Sequence, residues 1–180
     1  MCIRDSYLGG QTFNARRGAG NFSPQELQAA VQYCHTRGVK VYMTLNTLVS
    51  DSELPGAVAA AGNALDAGVD VLVVSNHGGR VLDQCPATAE VLPEIAAALK
   101  GTGVKVLVDG GIRTGVDVFK ALALGADGVL ICRPFVTAVY GGGAEGVKCY
   151  IDKLAGELAD TMQMCGAHTL AEITPDMVRV

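Results

Sequence analysis

Residues 103–114 read GVKVLVDGGIRT and lay out one complete strand-to-helix junction. Val104–Val108 is apolar apart from one lysine, the pattern of a short strand buried on both faces in a parallel sheet. Gly103 closes whatever precedes it. Asp109-Gly110-Gly111 opens a loop, and Thr114 stands where a helix cap belongs. The same junction of helix-ending glycine and apolar strand recurs as GVKVYM at 38–43, GVDVLV at 68–73 and GADGVL at 125–130.

Working outward, the strand candidates are Tyr7–Leu8, Lys40–Leu45, Val69–Val74, Val104–Val108 and Gly128–Ile131. Helical patterns lie between them, at Pro24–Arg37, about Glu53–Ala67, Thr88–Leu99 and Val116–Ala123, with a longer one from about Glu145 to Cys165. Ser23-x-x-Glu26 is a capping box with Pro24 at the first helical position, and Gly38 is that helix's stop signal. Gly141-Gly142-Gly143 reads as a hinge before the long helix. Five strands joined by helical crossovers give an α/β fold with a parallel sheet. Both a barrel and an open doubly wound sheet fit this pattern. No GxGxxG follows a strand, which disfavours a Rossmann dinucleotide site. In either architecture the chemistry belongs at the carboxyl ends of the strands.

Composition narrows the function classes. The 180 residues are 49% apolar and 18% charged, apolar enough for a sizeable core, and include 23 glycines. A net charge of −4 argues against a nucleic-acid surface or a polybasic membrane surface. No apolar run reaches the ~18–20 residues of a membrane span, and the start carries no secretory signal pattern. The six cysteines form no CxxC pair and no zinc-ligand spacing, so no metal site is expected. They read as reduced, mostly buried thiols of a cytoplasmic protein. A homo-oligomer is an open expectation. A complete (β/α)₈ barrel takes ~250 residues, so the length suits only part of one.

Three strand exits carry chemistry. The first reads Ser75-Asn76-His77-Gly78-Gly79-Arg80. Histidine exchanges protons near neutral pH, arginine grips a carboxylate through paired hydrogen bonds, and the glycines let a flat cofactor approach the backbone. The second, Asp109-Gly110-Gly111-Ile112-Arg113, offers a carboxylate for hydroxyls, and free amides and a cation for an anion. The third, Cys132-Arg133-Pro134, offers another cation where barrels often bind phosphate. Together they suit a phosphate-bearing cofactor and a small anionic substrate. His35 and His168 read as structural.

From about Leu65 to Val180 the chain resembles the FMN-dependent 2-hydroxy acid dehydrogenase/oxidase family, which includes lactate and glycolate oxidases. The resemblance rests on DAGVDVLVVSNHGGRVLDQCPAT, LPEI, VLVDGGIRTGVDVFKALALGADGVLICRPF and the tail GGGAEGVK…ELADTMQMCGAHTLAEIT. It implies a (β/α)₈ TIM-type barrel, here partial with about five βα units. It implies FMN as cofactor and a small 2-hydroxy acid as substrate. By position, His77 matches the family's base and Arg80 its carboxylate-binding arginine. Ser75 matches a position beside the flavin, Asp109–Arg113 the ribityl and phosphate segment, and Cys132 with Arg133 the rest of the phosphate site. The family usually has glycine at 132. Its lysine at flavin N1, its early-strand tyrosines and the aspartate that orients the base have no matching positions here.

Residues 7–54, with YLGGQTFNARRGAGNFSPQEL and GVKVYMTLNTLVSDSEL, resemble instead the collagenase-like peptidase family, whose relatives include RNA- and ubiquinone-hydroxylation proteins. The expected organisation is a non-matching leader at 1–6, peptidase-like βα units at 7–60 and the carboxyl-terminal half of a hydroxy acid dehydrogenase barrel at 61–180. The leading expectation is an FMN-dependent oxidoreductase in truncated or fused form. The alternatives are a catalytically silent joined barrel fragment and a peptidase-like or RNA-modification protein.

Overall fold

The computed structural model describes residues 5–8, 21–45, 52–79 and 84–179. In chain order the elements are β1 (Asp5–Leu8), α1 (Pro24–His35), β2 (Lys40–Leu45), α2 (Leu54–Asp66), β3 (Val71–Val74), α3 (Thr88–Leu99), β4 (Lys105–Val108), α4 (Gly115–Ala123), β5 (Gly128–Val129) and α5 (Arg133–Cys165). Single 3₁₀ turns occur at His77–Gly79, Leu170–Glu172 and Pro175–Met177. No helix among the described residues is long and apolar enough to cross a membrane.

Among the described residues five strands, all parallel, lie in the order β1-β2-β3-β4-β5. A doubly wound sheet reverses its strand order at a switch point, whereas a barrel adds each strand beside the last. The sequential order therefore settles the alternative that the pattern left open: the fold is part of a (β/α)₈ barrel.

Side-chain alternation sorts the two faces of the sheet. On β2, Val41, Met43 and Leu45 are buried, while Tyr42 and Thr44 between them are half-buried. All four residues of β3 are buried, as its unbroken apolar run requires. Leu72, Val74, Val106 and Val108 meet α2 through Ala60, Ala61 and Ala64, and α3 through Val91, Leu92 and Ile95. A second cluster joins Phe119 and Ala123 of α4 to Ala167 and Ile173 of the tail, with Leu158 and Met162 of α5 packed against it.

The ends of the strands opposite the exits carry a repeated clamp. The third positions of the four recurring junctions are Lys40, Asp70, Lys105 and Asp127, an alternation of charge across β2 to β5. The Asp70 carboxylate accepts the Val41 N–H at 2.7 Å and lies 2.9 Å from His35 Nε2. Asp127 accepts the Val106 N–H at 2.9 Å and pairs with Lys105 at 2.8 Å. Burial works against ionised Asp70. The Val41 amide, His35 and Lys40 outweigh it and hold the carboxyl below its usual range.

Several expectations shift at their edges. Strand β1 begins at Asp5, ahead of Tyr7. Val69 belongs to the turn before β3, because its N–H returns to Ala64 O of α2. Val104 is likewise bound locally, to Thr102 Oγ1. Helix α5 starts at Arg133, well before Glu145, with Pro134 in its first turn. The expected hinge is a break inside that helix, where Gly142 (φ −157°) and Gly143 (φ +54°) leave helical geometry. The cysteines correct a larger expectation. Of the five described, Cys34 and Cys85 are half-buried, and Cys132, Cys149 and Cys165 are exposed; none forms a disulfide. The apolar periodicity of α5 is too weak to bury its two cysteines: among its described residues none is fully buried.

Candidate active site

The exit of β3 is built from local hydrogen bonds. Ser75 is buried, with its N–H on Leu45 O at 2.9 Å. Its hydroxyl accepts the His77 N–H at 3.2 Å, and Asn76 Oδ1 accepts the Gly78 N–H at 2.9 Å. These two-residue loops from Ser and Asn side chains replace strand pairing and turn the chain. His77, Gly78 and Gly79 all take left-handed backbone angles, with φ of +53°, +69° and +69°. His77 is the one non-glycine with positive φ among the described residues. Such a conformation costs a β-carbon-bearing residue roughly 1–2 kcal/mol, and strain of this kind concentrates at functional sites. Its exposed side chain lines the cleft. Gly78 lies against the Arg133 guanidinium: a Cβ there would stand 3.1 Å from Arg133 Cζ and collide with the nearer nitrogen.

The exit of β4 locks onto the first. The Asp109 N–H bonds Val74 O at 3.0 Å, and Thr88 Oγ1, from the start of α3, donates to Asp109 O at 2.7 Å. Gly110 (φ +92°) packs so closely that a Cβ would lie 2.8 Å from Asn76 Oδ1. Burial pushes the Asp109 carboxyl above its ordinary range, and the neighbouring Ser75 and His77 side chains only partly offset this. Thr114 then caps α4 through a capping box with Asp117. Asp117 Oδ2 collects the Arg113 N–H, the Thr114 N–H and the Thr114 hydroxyl at 3.0, 2.9 and 2.8 Å. Helix α5 fastens the loop from outside. Tyr150 donates to Arg113 O at 2.9 Å, and Glu157 accepts the Gly115 N–H at 2.8 Å.

The exit of β5 leads straight into α5, with Cys132 at its N-cap and Arg133 beginning the helix. The first-turn N–H groups of a helix have no internal acceptor and attract anions. The three exits enclose one cleft of about 640 Å³. Eight of the nine residues singled out from the sequence line it: Ser75, His77, Asp109, Gly110, Gly111, Arg113, Cys132 and Arg133. Arg80 lies outside the described residues. Val73, Ile112, Leu130 and Ile131 supply an apolar wall.

This donor set fits a flavin mononucleotide. Two arginines and a helix N-terminus suit the phosphate, Asp109 suits the polyol chain, and the glycine turns and apolar wall suit a flat ring. Sequence reasoning missed four supports. Asn76 had a signal, since Asn before glycine favours a side-chain turn. Thr88, Tyr150 and Glu157 had none, because their partners lie 21, 37 and 42 residues away in sequence.

The family model for FMN-dependent dehydrogenases matches residues 57–180, the segment that holds all three exits. The chain belongs to this family. The peptidase family U32 model matches residues 3–92, so two family patterns meet in one chain and overlap over 57–92. Among relatives, a peroxisomal (S)-2-hydroxyacid oxidase of Arabidopsis thaliana is 53% identical over 116 residues, covering 64% of this chain and 32% of the relative. An L-lactate oxidase of Roseobacter sp. is 45% identical over 140 residues, covering 74% of this chain and 38% of the relative. The chain thus spans about a third of the length of these relatives. Mandelate oxidase, solved with (S)-2-phenylpropionate, superposes with a TM-score of 0.72 at 38% identity, covering 86% of this chain and 42% of that one. A further mandelate oxidase structure holds an FMN adduct. FMN is the cofactor that membership of this family implies.

Proposed function

We propose that the protein uses FMN to oxidise a small 2-hydroxy acid to the 2-oxo acid. The observation that carries this reading is the convergence of His77, the Asp109–Arg113 loop and Arg133 on one cleft. Oxidation breaks the substrate's O–H and C2–H bonds and forms a C2=O double bond, releasing two electrons and two protons. FMN, when bound, supplies the two-electron acceptor. Arg113, Arg133 and the first-turn amides of α5 would hold its phosphate, and Asp109 and Ser75 would hold its polyol chain. The His77 imidazole takes a proton from the substrate. Arg80, three residues on, grips the carboxylate. In this reading residues 7–60 are peptidase-like βα units behind a non-matching leader at 1–6, residues 61–180 carry the flavin site, and the protein works in the cytoplasm.

The test is to load the purified protein with FMN, remove free flavin, and follow the flavin absorbance anaerobically on adding L-lactate or glycolate. Bleaching supports the reading, and retained flavin that does not bleach refutes turnover. That second outcome is the expectation of another reading, favoured by the two overlapping family matches: a joined chain that binds flavin and catalyses nothing.

A further inference from the structure

We propose that Tyr150 is a positioning residue for the cofactor's phosphate and acts by tying Arg113 to Arg133. This deepens the reading of the cleft as a flavin site and rests on it. The two arginines come from different strand exits, and both line the cleft. Among the described residues no ion pair involves either guanidinium. Two like charges left to themselves move apart, so a phosphate gains from both only if the scaffold holds them at one spacing. Tyr150 sits where it reaches both. It lies on α5 beyond the break at Gly142 and Gly143, and there the helix folds back on itself. A Cβ on Gly146 would collide with Ala138 O. The rings of Phe135 and Tyr150, which an unbroken helix would set about 22 Å apart, meet edge to face with centroids 5.0 Å apart and planes at 76°.

Each end of Tyr150 holds one arginine's backbone. Arg133 and Thr137, four apart, share the helix face that lines the cleft. Phe135 is turned about 200° from Arg133, so it lies on the far face, and there the Tyr150 ring meets it. That contact sets the roll of the first segment of α5 and so the direction from which Arg133 enters the cleft. The Tyr150 hydroxyl holds the other arm, donating to Arg113 O at 2.9 Å. The Arg113 N–H is already on Asp117 Oδ2 at 3.0 Å, so both backbone polar groups of Arg113 are fixed. The segment that carries Tyr150 is itself anchored to the β4 exit. Glu157 accepts the Gly115 N–H at 2.8 Å, and a Cβ on Gly115 would collide with the backbone of Leu154 and Leu158. Tyr150 passes that fixed position on to the helix that begins with Arg133.

The experiment measures the affinities of the full chain for FMN and for riboflavin, which differ only by the phosphate, by fluorescence quenching. The variants are Tyr150→Phe, Tyr150→Leu, Arg113→Gln and the double variant Arg113→Gln/Tyr150→Phe. Tyr150→Phe keeps the ring and loses the hydroxyl, so FMN binds roughly three- to tenfold more weakly while riboflavin binds as in wild type. Tyr150→Leu loses both arms and weakens FMN further, with riboflavin binding again reporting that the site is folded. In the Arg113→Gln background Tyr150→Phe has no added effect, because the arm it holds carries no charge. Equal weakening of FMN and riboflavin in Tyr150→Phe means a merely structural role and overturns the proposal. So do unchanged FMN affinity in Tyr150→Phe, effects that simply add in the double variant, and a wild type that binds FMN no more tightly than riboflavin. Discrimination that behaves as stated in a chain whose flavin L-lactate never bleaches leaves the proposal standing and sinks the reading as a hydroxy acid oxidase instead.

Discussion

Replacing Gly78 with alanine separates two consequences of one methyl group. The residue sits at φ +69°, so an L side chain there costs roughly 1–2 kcal/mol of stability from backbone strain alone. The new Cβ also runs into the Arg133 guanidinium. That group is the far end of a long exposed side chain, so it swings aside at little further cost to folding. The cost emerges in ligand binding, because Arg133 leaves the place where the three exits converge. Losing one charge-assisted contact to phosphate weakens binding about tenfold or more. Gly38→Ala is the control. Gly38, at the end of α1, has nearly the same φ, +68°, and a Cβ added there would meet nothing within 4 Å. Urea unfolding should show similar losses for the two variants. FMN titration by fluorescence quenching should show weakened binding for Gly78→Ala only. Wild-type FMN affinity in Gly78→Ala, alongside the expected stability loss, would refute the placement of Arg133 as a phosphate ligand held against the glycine turn.

Two further predictions concern the scaffold. Asp70→Asn removes the charged acceptor of the Val41 amide and the partner of His35, and lowers stability by about 1–2 kcal/mol at neutral pH in urea unfolding. The folded-state carboxyl of Asp70 is held below its unfolded value, so its contribution is complete above about pH 4 and lost as pH falls through the folded value. Wild type and Asp70→Asn should therefore converge in stability below that range, and a constant gap down to low pH would count against the clamp. Phe119→Ala empties the centre of the α4, α5 and tail cluster, where Phe119 is 1% exposed, and should cost about 3–5 kcal/mol by thermal or urea melting. A loss under about 1 kcal/mol, far below the usual cost of emptying a buried aromatic site, would mean that the tail does not pack as described.

The elements that were legible in the sequence are those whose cause is local. Strand β3 announces itself because burial on both faces demands four apolar residues in a row. The caps of α1 and α4 are spelled by Ser23 with Glu26 and by Thr114 with Asp117. The site was legible as residue types at strand exits, because a parallel α/β sheet puts its chemistry there whatever its closure. Strand order was not, since barrel and doubly wound sheets use the same βα repeat, and only the pairing of β1 through β5 in sequence distinguishes them. Nothing in the letters says that His77 takes a left-handed angle, which emerges from Ser75 and Asn76 bonding two residues ahead. The early start of α5 was hidden because its first turns are rich in exposed apolar side chains such as Val136 and Tyr140, which break the expected periodicity. The exposure of Cys149 and Cys165 follows from the same poorly amphipathic helix.

If the cleft holds FMN beside His77 acting as the base, a 2-hydroxy acid will reduce the bound flavin only while that imidazole is present. The most direct measurement is anaerobic reduction of bound flavin by L-lactate in the wild type and in His77→Ala. Both proteins should retain yellow flavin, and only the wild type should bleach at an appreciable rate. Equal bleaching in the two, or no bleaching in a wild type that holds flavin, would contradict the claim.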